Sequence, residues 1–88
     1  MKTIYKYAAP IDDDLTIMMP AAAEVLCVQL QGAGPQIWAL VDPSAPHELR
    51  RFHWRGTGHP ADGLGRYVGT VQGAGGALIF HLFERRIG

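Results

Sequence analysis

Glu24-Val25-Leu26-Cys27-Val28-Gln29-Leu30-Gln31-Gly32-Ala33-Gly34-Pro35-Gln36-Ile37-Trp38-Ala39-Leu40-Val41-Asp42-Pro43 decides the fold class. Two apolar runs, each too short for a stable helix, are separated by Gly-Ala-Gly-Pro and closed by Asp-Pro. Runs of this length, rich in β-branched and aromatic residues and bounded by turn formers, read as strands. The glycines supply the backbone angles a tight turn needs, and the prolines end each run by removing a donor.

The same unit recurs in both directions. Upstream, Thr3–Ala8 is stopped by Pro10 and the Asp12-Asp13-Asp14 turn, and Leu15–Met19 by Pro20. The three alanines at 21–23 suffice for one helical turn at most. Downstream, Glu48–Arg55 runs into Gly56-Thr57-Gly58-His59-Pro60, Arg66–Gln72 into the glycine cluster Gly73–Gly76, and Ala77–Arg85 follows. With Glu24–Gln31 and Gln36–Val41 this makes seven runs. They predict an all-β chain, a small antiparallel sandwich or barrel of about seven short strands, in one domain over residues 1–88. The short connections favour hairpins or a meander and exclude a doubly wound parallel sheet, which needs crossover helices. In a meander the connections 56–65 and 73–76 are expected at opposite ends of the sheet.

A chain of 88 residues buries only about 60–65% of its unfolded surface, so its core is thin. Cys27 is the only cysteine, which rules out an internal disulfide and fits a reducing, cytosolic setting. Met1-Lys2-Thr3-Ile4 carries charge with no long apolar stretch after it, unlike a secretory leader. No run approaches the roughly 18 apolar residues of a membrane helix. Val25–Leu30 and Leu78–Phe83 are apolar on both faces: by alternation Leu26, Val28 and Leu30 oppose Val25 and Cys27, and Leu78, Phe80 and Leu82 oppose Ile79 and Phe83. A buried central strand explains such a pattern, and so does a subunit interface, so a homo-oligomer is expected.

Eight basic and eight acidic residues cancel, which argues against non-specific coating of nucleic acid by charge. The balance is uneven along the chain. Residues 1–48 hold Lys2 and Lys6 against six carboxylates; residues 49–88 hold six arginines against Asp62 and Glu84. Pairing of the two halves across a sheet accounts for this. An arginine surface for an anion does so too, because the guanidinium binds phosphate and carboxylate bidentately.

The run from Arg50 to Pro60 concentrates the chemistry. Alternation puts Phe52 and Trp54 with Arg50, and Arg51, His53 and Arg55 on the opposite face, neighbours about 6.5–7 Å apart. The strand leads into Gly56, Thr57, Gly58 and His59, whose amides, hydroxyl and imidazole are candidate donors to an oxyanion. Arg51, His53, Arg55, Gly56, Thr57, Gly58 and His59 are therefore candidate ligand-binding residues, with Tyr67 or Trp54 to stack on a base. A solvated strand face ending in an ordinary turn explains the same residues. The turn is neither a Walker loop, lacking its lysine and spacing, nor a dinucleotide fingerprint, lacking a following helix. His47, His53, His59 and His81 contain no close pair and Cys27 stands alone, so no metal ligand set and no cofactor is indicated. Ser44 is the only serine, and no nucleophile, base and orienting group occur together, so catalysis is not expected.

Lys2-Thr3-Ile4-Tyr5-Lys6-Tyr7, Trp38-Ala39-Leu40-Val41-Asp42-Pro43, Arg50-Arg51-Phe52, Gly56-Thr57-Gly58-His59-Pro60, Leu64-Gly65-Arg66-Tyr67-Val68-Gly69-Thr70 and Gly76-Ala77-Leu78-Ile79-Phe80-His81-Leu82-Phe83-Glu84 together resemble a family of uncharacterised small proteins encoded by bacteriophages and prophages. The resemblance covers nearly the whole chain and carries over no catalytic residue. It implies a small binding protein in the host bacterial cytosol, one that counters a host defence by inhibiting an enzyme or sequestering a nucleotide signal. Combined with the arginine strand, it gives capture of a phosphate-bearing nucleotide as the leading expectation. The alternatives are a protein–protein module or inhibitor docking on a host or phage protein, or a minor virion structural protein.

Overall fold

The computed structural model describes residues 1–85, so Arg86, counted above among the cations of the second half, lies outside the described residues. Each expected run is a strand, with every end within two residues of expectation: β1 (Thr3–Ala8), β2 (Asp14–Pro20), β3 (Glu24–Gln31), β4 (Gly34–Val41), β5 (His47–Gly56), β6 (Arg66–Gly73) and β7 (Leu78–Glu84). They form two antiparallel sheets, β1-β4-β3 and β2-β5-β7-β6, packed as a small sandwich and not closed into a barrel. The alanines at 21–23 form a turn, with Ala22 at φ 62°, rather than a helical turn. Among the described residues no helix is long and apolar enough to cross a membrane.

The core lies between the sheets. Ile37, Ala39 and Val41 of β4 and Val25 and Val28 of β3 face Ile17 and Met19 of β2, Phe52 and Trp54 of β5, and Leu82 of β7. The expected alternation in β3 is overturned by a bulge. Val25 pairs with Ala39, Cys27 with Trp38 and Val28 with Ile37, so Val25 and Val28 share the core face. Cys27 turns outward beside Trp38 while Leu26 stays exposed. One extra residue in a strand reverses the parity of everything after it.

The meander is likewise corrected. Among the described residues only β3–β4 and β6–β7 are hairpins; β7 inserts between β5 and β6. The apolar pattern explains the choice, because β7, apolar on both faces, takes a position flanked on both sides, while glycine- and threonine-bearing β6 takes the rim. The two glycine-bearing connections consequently start at the same end. Thr57 N–H donates to Ile79 C=O at 3.3 Å, and Gly56, Thr57, His59, Ala77 and Leu78 line one cleft of about 240 Å³.

The sheets meet along β3 and β6, which approach without joining in a ladder. Gly69 makes the approach possible: a Cβ there would lie 2.8 Å from Val28 Cγ1. A second glycine, Gly65, sits at φ +104° where a Cβ would overlap the Glu84 carbonyl oxygen. After β4, Asp42 Oδ1 accepts from Ser44 N–H at 3.0 Å and from Ser44 Oγ at 2.7 Å, closing the β4–β5 turn. Those two donors hold the Asp42 carboxyl below its ordinary pKa.

Alanine substitutions separate the two roles of glycine. Gly65→Ala, wrong in both conformation and space, should cost about 3 kcal/mol or more. Gly69→Ala, a spatial conflict alone, should cost about 1–2 kcal/mol. Gly63→Ala, at φ +68° with open space around it, should cost about 1 kcal/mol. Urea denaturation measures this order; Gly69→Ala at no cost would mean the β3–β6 approach is not tight.

Candidate ligand-binding face

β5 sets the site because its two faces have opposite duties. Phe52 and Trp54 are fully buried. Strand alternation then sends Arg51, His53 and Arg55 to the outer face of the four-stranded sheet. Register places partners beside them. Asp14, His53, Phe83 and Tyr67 form one row across β2, β5, β7 and β6; Arg55, His81 and Thr70 form the next.

Most side chains of this face are held by one another. His53 Nδ1 lies 2.6 Å from Asp14 Oδ1. Arg55 donates Nη1 to the carbonyls of Asp13 and Trp54, each at 2.8 Å. Thr57 Oγ1 meets His81 Nε2 at 2.8 Å, His81 Nδ1 meets Thr70 Oγ1 at 2.8 Å, and Thr70 Oγ1 bonds the Tyr67 hydroxyl. A neutral imidazole uses one nitrogen as donor and the other as acceptor, so this chain is satisfied as it stands. The Tyr67 ring packs edge-on against Phe83, with centroids 5.7 Å apart, and remains 54% exposed.

Arg51 is different. Arg85 N–H donates to Arg51 C=O at 2.9 Å, extending the β5–β7 ladder by one residue and setting Arg85 opposite Arg51. Thr16 faces Arg51 from β2. Among the described residues, neither guanidinium has a carboxylate within ion-pair distance. Both arginines stand at the rim of two clefts. One, of about 180 Å³, also includes Asp14, Thr16 and His53; the other, of about 630 Å³, opens where the sheets part.

The Gly56–His59 turn contributes less to an anion than its composition suggests. Thr57 N–H is donated to Ile79 and His59 N–H to Gly56 C=O at 3.1 Å, so no run of free amides is presented. Gly58 forms the turn at φ +89°. The His59 ring folds over Gly56, where a Cβ would meet it at 3.3 Å. It lines a separate cleft of about 290 Å³ with Trp54 and Phe80. The indole Nε1 of Trp54 is buried and has no hydrogen-bond partner among the described residues. Thus Arg51, His53, Arg55, Thr57 and Tyr67 come together on one face, while His59 folds over Gly56 and meets the arginines only at Arg55, with which it lines a cleft of about 430 Å³.

Sequence reasoning missed Arg85, His81 and Thr70 on this face and Arg50, Arg66 and Glu84 in the larger cleft. Arg50 had a signal, a cation in phase with Phe52 and Trp54. It bonds Glu84 through Nε and donates Nη1 to Ala23 C=O at 2.9 Å; Glu48 stands 4.0 Å away. Arg66 donates to Val25 C=O at 3.2 Å. The acidic and basic halves therefore meet mainly through arginine on backbone carbonyls. Side-chain contacts between them are few among the described residues: Arg50 with Glu48 at 4.0 Å and His53 with Asp14 at 2.6 Å. The reason lies at the sheet junction, where carbonyls near an unpaired strand edge need donors.

The Arg50 and Glu84 side chains are only 15% and 11% exposed, so removing one partner strands the other. Arg50→Met should cost about 3 kcal/mol, and Arg50→Met with Glu84→Leu less than the sum of the single changes. A double-mutant cycle in urea tests this; strict additivity would show that the pair is not coupled.

Comparison with known proteins adds a family and no function. No curated protein and no solved structure matches the chain. The model of one family, Domain of unknown function (DUF7352), matches residues 1–87, and the chain belongs to that family.

Proposed function

We propose that this chain is a phage- or prophage-encoded binding protein that captures a phosphate-bearing nucleotide on the outer face of its four-stranded sheet. The observation that carries this is Arg51 opposite Arg85, with no carboxylate within ion-pair distance of either guanidinium among the described residues. Like charges facing each other across strands are destabilising, and an anion between two guanidinium forks converts the repulsion into charge-assisted hydrogen bonds. Arg85 and Phe83 are two residues apart on one face, so about 6.5–7 Å separates their Cα atoms. A base resting on Tyr67 and Phe83 then directs its phosphate toward the arginines. His53, Arg55, Thr57, His81, Thr70 and Tyr67 already hold one another or neighbouring groups, and they shape and stiffen the face.

Binding rather than turnover is the favoured role. The Thr57–His81–Thr70–Tyr67 chain has the order of a hydroxyl relay, yet its orienting group is a neutral hydroxyl. That group offers an imidazolium none of the stabilisation a carboxylate gives. In a host bacterial cytosol, such a protein would act against defence by holding a nucleotide signal out of reach. A second observation favours a protein partner, host or phage, including a place in the virion. The outer face of the three-stranded sheet exposes Ile4 (56%) and Leu26 (43%) beside half-buried Trp38, Cys27 and Leu40.

Thermal unfolding with a panel of linear and cyclic nucleotides tests the first reading. A nucleotide at a hundredfold excess over Kd should add about 2.7 kcal/mol. Arg51→Ala with Arg85→Ala should abolish that gain. Without ligand, Arg51→Ala should leave the protein as stable or up to about 1 kcal/mol more stable, since a repulsion is removed. A double variant stabilised as much as the parent, or no response to any nucleotide, would refute it.

A further inference from the structure

β1 and β2 are the open edges of the two sheets, and they are guarded unequally. An exposed strand edge is a template for pairing, and proteins blunt it with charge or proline. β2 has both: Pro20 at one end lacks an N–H, and Asp12-Asp13-Asp14 crowds the other. β1, Thr3-Ile4-Tyr5-Lys6-Tyr7-Ala8, contains no proline and no bulge. Its one charge is drawn off the edge, because Lys6 Nζ reaches across β4 to Gln31 Oε1 of β3 at 2.7 Å. Ile4 and Tyr5 stand 56% and 43% exposed.

The register says which backbone groups this edge offers. Ala9 N–H donates to Pro35 C=O at 3.0 Å, and Ala8 faces Gln36. The residues of β1 bonded to β4 are therefore the odd ones, Thr3, Tyr5 and Tyr7, since bonded and non-bonded pairs alternate along an antiparallel ladder. The N–H and C=O groups of Ile4, Lys6 and Ala8 point away from the sheet.

We infer that β1 pairs antiparallel with β1 of a second copy about a two-fold axis at Tyr5, joining the three-stranded sheets into one of six strands. On this axis Ile4 of each copy forms the hydrogen-bonded pair with Lys6 of the other, and Lys2 faces Ala8. Tyr5 meets Tyr5 as a non-bonded pair, and Thr3 meets Tyr7. Outward-pointing groups meet outward-pointing groups, each side chain meets one from the same face, and no like charges oppose. Shifting the axis to Lys6 sets lysine against lysine; shifting it to Ile4 sets Lys2 against Lys6. Both are disfavoured. The pairing uses neither Arg51 nor Arg85 and stands apart from the nucleotide reading.

Sedimentation of the intact chain should show a dimer. Ile4→Pro removes an N–H that points outward and leaves the β1–β4 ladder intact, so it should give a monomer with an unchanged far-ultraviolet spectrum. In a Cys27→Ser background, Tyr5→Cys should cross-link under mild oxidation, because a non-bonded pair has Cα atoms about 4.5 Å apart, within disulfide reach. Ile4→Cys, facing Lys6 rather than itself, should not. A monomeric parent, a folded Ile4→Pro variant that stays dimeric, or Ile4→Cys linking as readily as Tyr5→Cys would overturn the inference. If Ile4→Pro fails to fold, the two cysteine variants decide.

Discussion

The structure depends on the junction where β3 meets β6 without a ladder. Two sheets of three and four strands must close over a thin core, and they do so by bringing two strand edges together. Close approach requires Gly69, whose missing side chain gives Val28 its place. It also leaves backbone carbonyls near the edge in need of donors. Arg66 supplies Val25 and Arg50 supplies Ala23. Buried Arg50 then needs a counter-charge, and Glu84 provides it. The polar end of the inner face is thus a consequence of how the sheets join, and the core of Phe52, Trp54, Ile37 and Leu82 fills the remainder.

The arginines divide by task. Arg50, Arg55 and Arg66 are engaged with carbonyls, and Arg50 with Glu84 as well. Arg51 and Arg85 face one another at the rim of the clefts. In a chain with no net charge, two guanidinium groups in register, with no carboxylate within ion-pair distance among the described residues, are a local feature that composition cannot reveal. They lie beside an exposed aromatic, and that juxtaposition carries the functional proposal.

The strands were legible because each is short, apolar and fenced by Gly, Pro or Asp; the opposite faces of Phe52 and Arg51 followed from alternation alone. Pairing order was not legible. Nothing local in β7 says that it lies between β5 and β6; that follows from competition among strands for the flanked position. Nor was the β3 bulge, since Val25-Leu26-Cys27-Val28 reads as regular alternation until register with Ala39, Trp38 and Ile37 is known. The candidate face was legible where it lies on one strand, at Arg51, His53 and Arg55. It was illegible where it is assembled across strands: Arg85 and His81 belong to a run that reads as core, and only register brings them to Arg51 and Arg55. His59, three residues beyond Gly56, folds over the glycine and shares a cleft with Arg55 but not with Arg51.

The most direct measurement is the arginine Nε–H spectrum of ¹⁵N-labelled protein, titrated with a nucleotide that the chain binds. Arg51 and Arg85 should move together and saturate at one affinity, while Arg50 and Arg55, already held by Glu84 and by backbone carbonyls, stay in place. Shifts at Arg50 or Arg55 with none at Arg51 and Arg85 would contradict the account and place the anion elsewhere.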